Sequence, residues 1–261
     1  MISDSSFTGK TVLVCGASSG IGRESALQFA KLGAKLILMA RNKDNLKEVV
    51  AETSQPELHQ IHSIDFLNLS DLEKTIDQIL SEDNIDILVC NSGGPAGGPL
   101  VKAESENFLN AFKQHVLANQ LLVKKLSPGM IKNNFGRVIN IISTSVKIPI
   151  NNLGVSNTIR GAVASWSKTL ANELGKHNIT FNNVLPGYTK TGRLEKLVKA
   201  TGERLDKTPA QVIQMWQGKV PMGRFAEVKE VANAVVFLAS PMASYINGVS
   251  LPVDGGRTGS L

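Results

Sequence analysis

The sequence predicts a single α/β domain over residues 1–261, with a doubly wound parallel sheet of the Rossmann type. Short β-branched runs alternate with longer amphipathic stretches along the whole chain. The short runs are apolar throughout, as strands buried on both faces of a parallel sheet require. Strands that alternate with helices over short connections indicate parallel β-α-β units with right-handed crossovers.

The predicted elements follow in order along the chain. The strands are expected at 11–15, 35–40, 59–64, 86–90, 137–142, 179–184 and 249–253. The helices are expected at 20–32, 43–54, 70–82, 104–132, 156–175 and 227–239.

Residues 192–218 interrupt this alternation, and we expect two short helices broken near Gly202 and Pro209. Insertions of this kind often form movable covers over ligand clefts. The alternative is an ordinary excursion that packs Met215 and Trp216 on the core. The sequence leaves both interpretations open.

Composition excludes several classes of protein. The chain is 42% hydrophobic and 19% charged, which is typical of a globular protein. It has no apolar run long enough to cross a membrane, and its first residues lack the pattern of a signal peptide. A cytoplasmic protein without a membrane partner is therefore expected. The net charge is +6, but Lys and Arg are scattered, so no nucleic-acid partner is expected.

The cysteines and histidines do not indicate a metal site. Cys15 and Cys90 each end an apolar run and are expected to be buried and unpaired. The four histidines lie at 59, 62, 115 and 177, which is not a zinc-binding spacing.

The segment TVLVCGASSGIG at 11–22 predicts a strand, a tight turn and a helix. Its glycines follow the pattern G-x-x-x-G-x-G, which permits a ligand to approach the backbone closely. The free N–H groups and the positive dipole at a helix start attract a pyrophosphate. The candidate cofactor-binding residues of this turn are Gly16, Ser18, Ser19, Gly20, Ile21 and Gly22.

The end of the second strand indicates which dinucleotide is bound. An NAD site places an acidic residue here, about twenty residues after the glycines, to bind the ribose 2′-hydroxyl. This chain instead has Arg41 and Asn42. A guanidinium suits bidentate binding of a 2′-phosphate, so NADP(H) is predicted, although a merely solvated arginine would give the same pattern.

Further motifs lie in order along nearly the whole chain: Asp65-Phe66, Asn91-Ser92-Gly93, PGYTKT at 186–191, MGRFAEVKEVANAVVFLAS at 222–240 and PVDGG at 252–256. With GASSGIG, they resemble the short-chain dehydrogenase/reductase family, and in particular its 3-oxoacyl-carrier-protein reductases. The resemblance implies that Asp65 and Phe66 contact adenine. It also implies that Asn91, Ser92 and Gly93 support the central sheet and belong to the cofactor-binding site. It also implies that Pro186, Gly187, Thr189 and Thr191 lie at the nicotinamide.

The catalytic positions depart from that family. The resemblance implies an Asn, a Ser and a Tyr-x-x-x-Lys pair. Ser143 occupies the serine position, whereas His115, Ser156 and Arg160 occupy the other three. A serine hydroxyl is a far weaker acid than a phenol of pKa about 10, and an arginine of pKa above about 12 does not release a proton.

Several residues are candidates for the missing chemistry. Arg160 is suited to binding a ribose, stabilising an alkoxide or holding a substrate carboxylate or phosphate; the alternative is an ordinary ion pair. His115 is a candidate acid because its reference pKa is about 6.5, unless it is only packed in its helix. Asn119 lies one helical turn further and is a candidate for holding a water. Tyr188, beside the nicotinamide turn, is a third candidate acid.

Two functions follow. The first is an NADP(H)-dependent enzyme that interconverts a small-molecule carbonyl, neutral or anionic, and its alcohol. The second is an NADP(H)-binding sensor or structural protein without turnover. The resemblance also implies a homotetramer, with a dimer as the alternative, built on the long helices that hold 104–132 and 156–175. GAVAS, at 161–165, would permit close helix approach.

Overall fold

The computed structural model describes residues 6–260, and within them seven parallel strands form one sheet. The spatial order is β3-β2-β1-β4-β5-β6-β7. The strands are β1 (Thr11–Cys15), β2 (Lys35–Ala40), β3 (Gln60–Ser63), β4 (Ile87–Cys90), β5 (Gly136–Ile141), β6 (Ile179–Pro186) and β7 (Ser250–Val253). This order confirms the predicted doubly wound parallel sheet.

Helices cover both faces of the sheet. They are α1 (Gly20–Lys31), α2 (Lys43–Ala51), α3 (Leu69–Glu82), α4 (Ser105–Phe112), α5 (Ala118–Lys132), α6 (Gly154–Leu174), α7 (Gly192–Leu205), α8 (Pro209–Gln217) and α9 (Val228–Ala239). Buried residues of α1 and α9 pack with one face, and those of α3 and α5 pack with the other. Across residues 6–260, the helices are too short or too polar to span a membrane.

The structure corrects one detail of the long helix predicted near 104–132: the backbone stays helical, but it is not α-helical throughout. A π-helical segment, Lys113–Leu117, separates α4 from α5. Such segments are rare and are frequent at functional sites. His115 lies within this one and is buried.

The structure also corrects the break predicted near Gly202. Helix α7 continues through Gly202 to Leu205, and a Cβ on Gly202 would lie 2.6 Å from the carbonyl oxygen of Lys207. The glycine therefore permits close packing and does not end the helix. Asp206, with a left-handed φ of 50°, ends α7. Pro209 then begins α8, behind an N-cap at Thr208. The other predicted bounds differ at their ends by a few residues, where terminal turns fray.

The order of strands in the sheet reverses beside β1. The chain moves outward from β1 to β2 and β3, then returns to place β4 on the other side of β1. In open α/β sheets, ligands bind in the crevice at the carboxyl ends of the strands flanking such a point. Gly16 and Asn91 directly follow β1 and β4, so both lie at this crevice.

The two cysteines are buried in the sheet and form no disulfide, as predicted. Burial raises the pKa of the Cys15 thiol to about 12. Neither thiol is placed for chemistry.

Candidate active site

The glycine-rich turn after β1 has a backbone geometry that side chains would disrupt. Gly16 and Gly20 have left-handed φ values of 61° and 57°. A Cβ on Gly22 would lie 2.3 Å from the carbonyl oxygen of Gly16. That oxygen also accepts a hydrogen bond of 3.3 Å from the Asn91 amide, which ties the turn to the end of β4.

The start of α1, at this turn, fits a bound phosphate. Ser19 is the N-cap residue, yet its side chain makes no capping hydrogen bond, and the first turn of α1 contains no acidic residue. The first N–H groups of the helix therefore lack a side-chain acceptor, and the helix dipole favours an anion there. Ser18 and Ile21 flank Ser19 and Gly20 in this turn.

Arg41 and Asn42 lie at the end of β2, and they differ in what their side chains do. Arg41 is exposed, and its guanidinium is absent from the ion pairs found among residues 6–260. It is thus available to an anion. The side-chain oxygen of Asn42 accepts hydrogen bonds of 3.0 and 3.1 Å from the amides of Asp44 and Asn45. Asn42 therefore caps α2, a structural role that its cofactor assignment did not include.

Asp65 and Phe66 follow β3, and they differ in exposure: the first is exposed and the second is buried. Asp65 is exposed, and its carboxylate accepts a 3.0 Å hydrogen bond from the amide of Leu67. Phe66 is only 8% exposed and belongs to the core beneath α3. The adenine contact predicted for this pair stays a prediction.

The turn after β6 approaches the glycine turn across the crevice. A Cβ on Gly187 would lie 2.7 Å from Cα of Asp254, so the turn packs tightly against the end of β7. Thr189 is buried, and its hydroxyl donates to the carbonyl of Gly187 at 3.2 Å. The side chain of Thr191 caps α7, and its methyl carbon would lie 3.3 Å from a Cβ on Gly20. The end of this turn, at Thr191, therefore lies against the glycine turn; the nicotinamide contact predicted for Pro186, Gly187, Thr189 and Thr191 stays a prediction.

His115 contacts the loop that follows β4. Its Nδ1 lies 2.8 Å from the hydroxyl of Ser92. The neighbouring Gln114 side chain donates to the carbonyl of Gly93 at 2.9 Å. The π-helical segment and the Asn91-Ser92-Gly93 loop are thus joined by two side chains.

The His115 ring is neutral at physiological pH. Burial, then the positive charges of Arg160 and Arg193, lower the pKa of His115 to about 2. An acid with the reference pKa of about 6.5 is therefore not present at this position. Its Nε2 is buried and has no hydrogen-bond partner among residues 6–260.

Arg160 lies on α6 beside the end of β5. Only 7% of the residue is exposed, and its Nη1 donates to the carbonyl of Ile141 at 3.3 Å. Burial and the charge of Arg193 lower the pKa of Arg160 to about 10, so it stays protonated at neutral pH. Within residues 6–260 it forms no salt bridge, so the ordinary ion pair considered from the sequence is not what holds it.

The two serines of the proposed site lie on different elements. Ser156 is buried one turn before Arg160 on α6. Ser143 follows β5 by two residues and is half-buried, and its hydroxyl oxygen accepts a 3.1 Å hydrogen bond from the amide of Ser145. Among residues 6–260 the Ser143 hydroxyl is not seen to donate a hydrogen bond.

Arg193 is a site residue that the sequence reasoning missed. Its guanidinium donates to the carbonyls of Gly94 and Pro95 at 2.9 and 3.3 Å, which joins the start of α7 to the loop after β4. Its charge also acts on His115 and Arg160. The only signal was its position after the PGYTKT motif, and spacing gave it no role.

Beside these residues lies a cleft of about 840 Å³, covered by α7 and α8. Tyr188 lines it and stacks on Trp216 with ring centroids 4.8 Å apart. Met215 and Trp216 pack on a small cluster separate from the main core, formed by Leu194, Val198, Val212 and Phe225. They also line the cleft, which favours the cover interpretation of 192–218.

Comparison with known proteins identifies the family. A family model described as enoyl-(acyl carrier protein) reductase matches residues 16–258. The 3-oxoacyl-(acyl-carrier-protein) reductase FabG of Rickettsia prowazekii is 34% identical over 251 residues, 95% of this chain and 97% of that protein. The NADPH-dependent reductase BacG of Bacillus subtilis is 30% identical over 97% of this chain and 99% of that protein.

Solved structures agree. L-sorbose reductase from Gluconobacter frateurii, in complex with NADPH and L-sorbose, has a TM-score of 0.91 and 30% identity, covering 99% of this chain and all of that one. These matches confirm the resemblance drawn from the motifs. The chain belongs to the short-chain dehydrogenase/reductase family of oxidoreductases.

Proposed function

We propose that this protein is an NADP(H)-dependent oxidoreductase that interconverts a carbonyl and an alcohol with Ser156 and Arg160 in place of a tyrosine–lysine pair. The observation that carries the proposal is Arg160, a buried cation without a carboxylate partner among residues 6–260, beside the strand that leads to Ser143. Burying an unpaired charge costs stability, and a bound anionic or polar group would offset that cost.

The residues at the crevice fit NADP(H). The uncapped start of α1 would bind the pyrophosphate, and the unpaired Arg41 would bind the 2′-phosphate. The turn from Pro186 to Thr191 would hold the nicotinamide, as in the family. NADPH, as named for BacG and L-sorbose reductase, supplies the hydride in such reactions.

The protein's own residues would stabilise charge on the substrate oxygen. The Ser143 hydroxyl would donate a hydrogen bond to the carbonyl, because its oxygen is engaged by Ser145 and its proton is not. Arg160 would stabilise the developing alkoxide electrostatically, since it keeps its own proton.

The proton needs a source other than a tyrosine at position 156. The His115 ring is neutral, lies in hydrogen-bond contact with Ser92, and has an Nε2 without a partner among residues 6–260. It is therefore better suited to hydrogen-bonding a water than to acting as an imidazolium acid. Asn119, half-buried about one turn further along in α5, would hold such a water. Tyr188 remains the alternative acid; its ring lies between Trp216 and the guanidinium of Arg257.

A second candidate function is NADP(H) sensing without turnover. The low pKa of His115 and the serine at position 156 favour it, because neither is an effective acid at neutral pH. Both candidates share the cofactor site and differ only in chemistry.

One experiment separates the two candidates. NADPH oxidation is followed against a panel of ketones, aldehydes and oxo acids, with NADP⁺ reduction by the matching alcohols as the reverse assay. Steady turnover of any pair supports the enzyme. Tight NADPH binding with no turnover across the panel contradicts it and supports the sensor.

We also propose a homotetramer, with a dimer as the alternative. The α4–α5 region exposes Leu109, Phe112 and Leu117, and the GAVAS segment of α6 has small side chains that permit close approach of another helix. A light-scattering mass near that of the 28.0 kDa chain at micromolar concentration would contradict both assemblies. A cytoplasmic location also stays a prediction.

A further inference from the structure

The cleft under α7 and α8 has positive charge without opposing negative charge. Arg204, Lys219 and Arg257 line it, and its lining residues, as far as the structure describes them, include no Asp or Glu. None of the three cations takes part in a salt bridge within residues 6–260. Concave sites lined by one sign of charge attract ligands of the opposite sign.

The turn after β7 fixes the position of Arg257. The two carboxylate oxygens of Asp254 accept hydrogen bonds of 3.1 and 2.8 Å from the amides of Gly256 and Thr258. Gly255 and Gly256 have left-handed φ values of 65° and 83°, which this turn needs. The carboxylate closest in sequence to Arg257 is thus engaged with the backbone and does not neutralise the guanidinium.

The Arg257 side chain is oriented toward the proposed reacting site. Its Nη1 donates to the hydroxyl of Thr144 at 3.2 Å, and Thr144 directly follows Ser143. Its guanidinium carbon lies 4.5 Å from the centroid of the Tyr188 ring, which in turn stacks on Trp216 of the cover. A guanidinium has five N–H donors, so donors remain for a ligand in the cleft.

We propose that Arg257 is a specificity-determining residue that binds an oxyanion of the substrate, a carboxylate or a phosphate, in this cleft. The planar guanidinium forms two parallel hydrogen bonds with either group. Arg204 and Lys219, both exposed, add a positive field that draws the anion in. That the bound anion is part of a substrate rests on the proposed oxidoreductase function, whereas the binding of an oxyanion by Arg257 does not.

The test is a binding measurement that needs no turnover. Short, branched and long oxo acids, each paired with its neutral methyl ester, are titrated calorimetrically into the full chain, with and without NADP⁺. Dihydroxyacetone phosphate and dihydroxyacetone form the phosphate pair and identify which oxyanion is preferred. We expect at least one anion to bind about tenfold or more tightly than its neutral partner, since hydrogen bonds to charged groups are the strong ones.

Three variants identify the residue responsible. Arg257→Gln should remove most of the difference in affinity between each anion and its neutral partner. Arg257→Lys should keep part of that difference, because the positive charge remains although the bidentate guanidinium geometry is lost. Lys199→Gln is the matched control: it removes one positive charge from an exposed position on α7 that does not line the cleft. It should leave the difference intact.

The outcomes for this proposal and for the proposed function are distinct. Equal affinities within every pair, absence of binding, or an undiminished preference in Arg257→Gln would overturn the Arg257 proposal. Anion binding that depends on Arg257 without NADPH oxidation would support it and contradict the enzyme. Turnover of neutral ketones with no preference for oxo acids would support the enzyme and contradict the Arg257 proposal.

Discussion

The two ends of the crevice differ in the groups on which their proposed roles depend: backbone at the start of α1 and side chains at α6. At the α1 end, binding depends on backbone: left-handed glycines, an uncapped helix start and one free arginine after β2. At the α6 end, the proposed chemistry would depend on side chains: His115, Ser156 and Arg160, at the positions where the motif spacing predicts Asn, Tyr and Lys. The first end matches the family's motifs, whereas the departure at the second end is our proposal.

This difference shows which parts of the molecule the fold constrains. A side chain on Gly22 would collide with the backbone of Gly16, so the glycine turn cannot vary without distortion. Position 160 accommodates an arginine because the carbonyl of Ile141, at the end of β5, accepts a hydrogen bond from its Nη1. On the proposed function, the fold would keep its cofactor site while its reaction chemistry changes. Variants at Arg160 and Arg41 would then affect turnover and cofactor choice separately.

The largest effect is expected at Arg160. Arg160→Ala should lower kcat by about 100-fold or more, the scale for loss of a group that stabilises a developing oxyanion. NADP(H) affinity should fall by only about 1–3 kcal/mol, because the α1 turn and Arg41 still hold the adenosine half. Steady-state kinetics and NADPH fluorescence titration measure the two effects separately.

Arg160→Lys is the matched control for that change, since it keeps the charge. It should retain more activity than Arg160→Ala. If the kcat of Arg160→Ala lies within twofold of the parent value, Arg160 has no role in the reaction.

The next effect is at the opposite end of the crevice. The parent should bind NADPH at least about tenfold more tightly than NADH, because a bidentate Arg–phosphate contact is worth about 1.4 kcal/mol or more. Arg41→Asp should abolish or invert that preference and leave kcat with saturating cofactor nearly unchanged. Equal parent affinities for the two cofactors would contradict the 2′-phosphate assignment.

The third effect concerns stability and not turnover: it is the pH dependence of unfolding due to His115. Its pKa is about 2 in the folded protein and about 6.5 when unfolded, so only the unfolded chain gains this proton between those values. This residue's contribution is therefore fully present above pH 6.5 and falls as the pH drops, by up to about 1.4 kcal/mol per pH unit. His115→Asn should reduce the slope of unfolding free energy against pH, measured by urea unfolding between pH 6.5 and 5, whatever the variant's stability at pH 7. An unchanged slope would show that His115 binds its proton equally in the folded and unfolded states.

Much of the fold could be predicted from the sequence because the informative signals are local. Apolar runs such as KLILMA predict buried strands, and glycine spacing predicts the turn before α1. The end of α7 was predicted wrongly because Gly202 looks like a helix breaker, whereas the structure uses it for contact with Lys207. The capping box of Thr208 and Gln211 was the signal for the true start of α8.

The site was less predictable because its electrostatics depend on contacts distant in sequence. The reference pKa of histidine suggested an acid at His115, but burial beside Arg160 and Arg193 keeps that ring neutral. Arg193 reaches the loop after β4 across about a hundred positions of sequence, and no spacing rule anticipates such a contact. The π-helical segment that holds His115 likewise has no periodic signature.

The most direct test of the central claim is to restore the family's pair at its own spacing. Ser156→Tyr with Arg160→Lys is compared with the parent on the carbonyl panel, by NADPH oxidation. If Ser156 and Arg160 support a reaction of their own, the parent turns over a substrate and the double variant loses that reaction. A parent without activity and a double variant that gains ordinary carbonyl reduction would contradict the claim and establish the sensor instead.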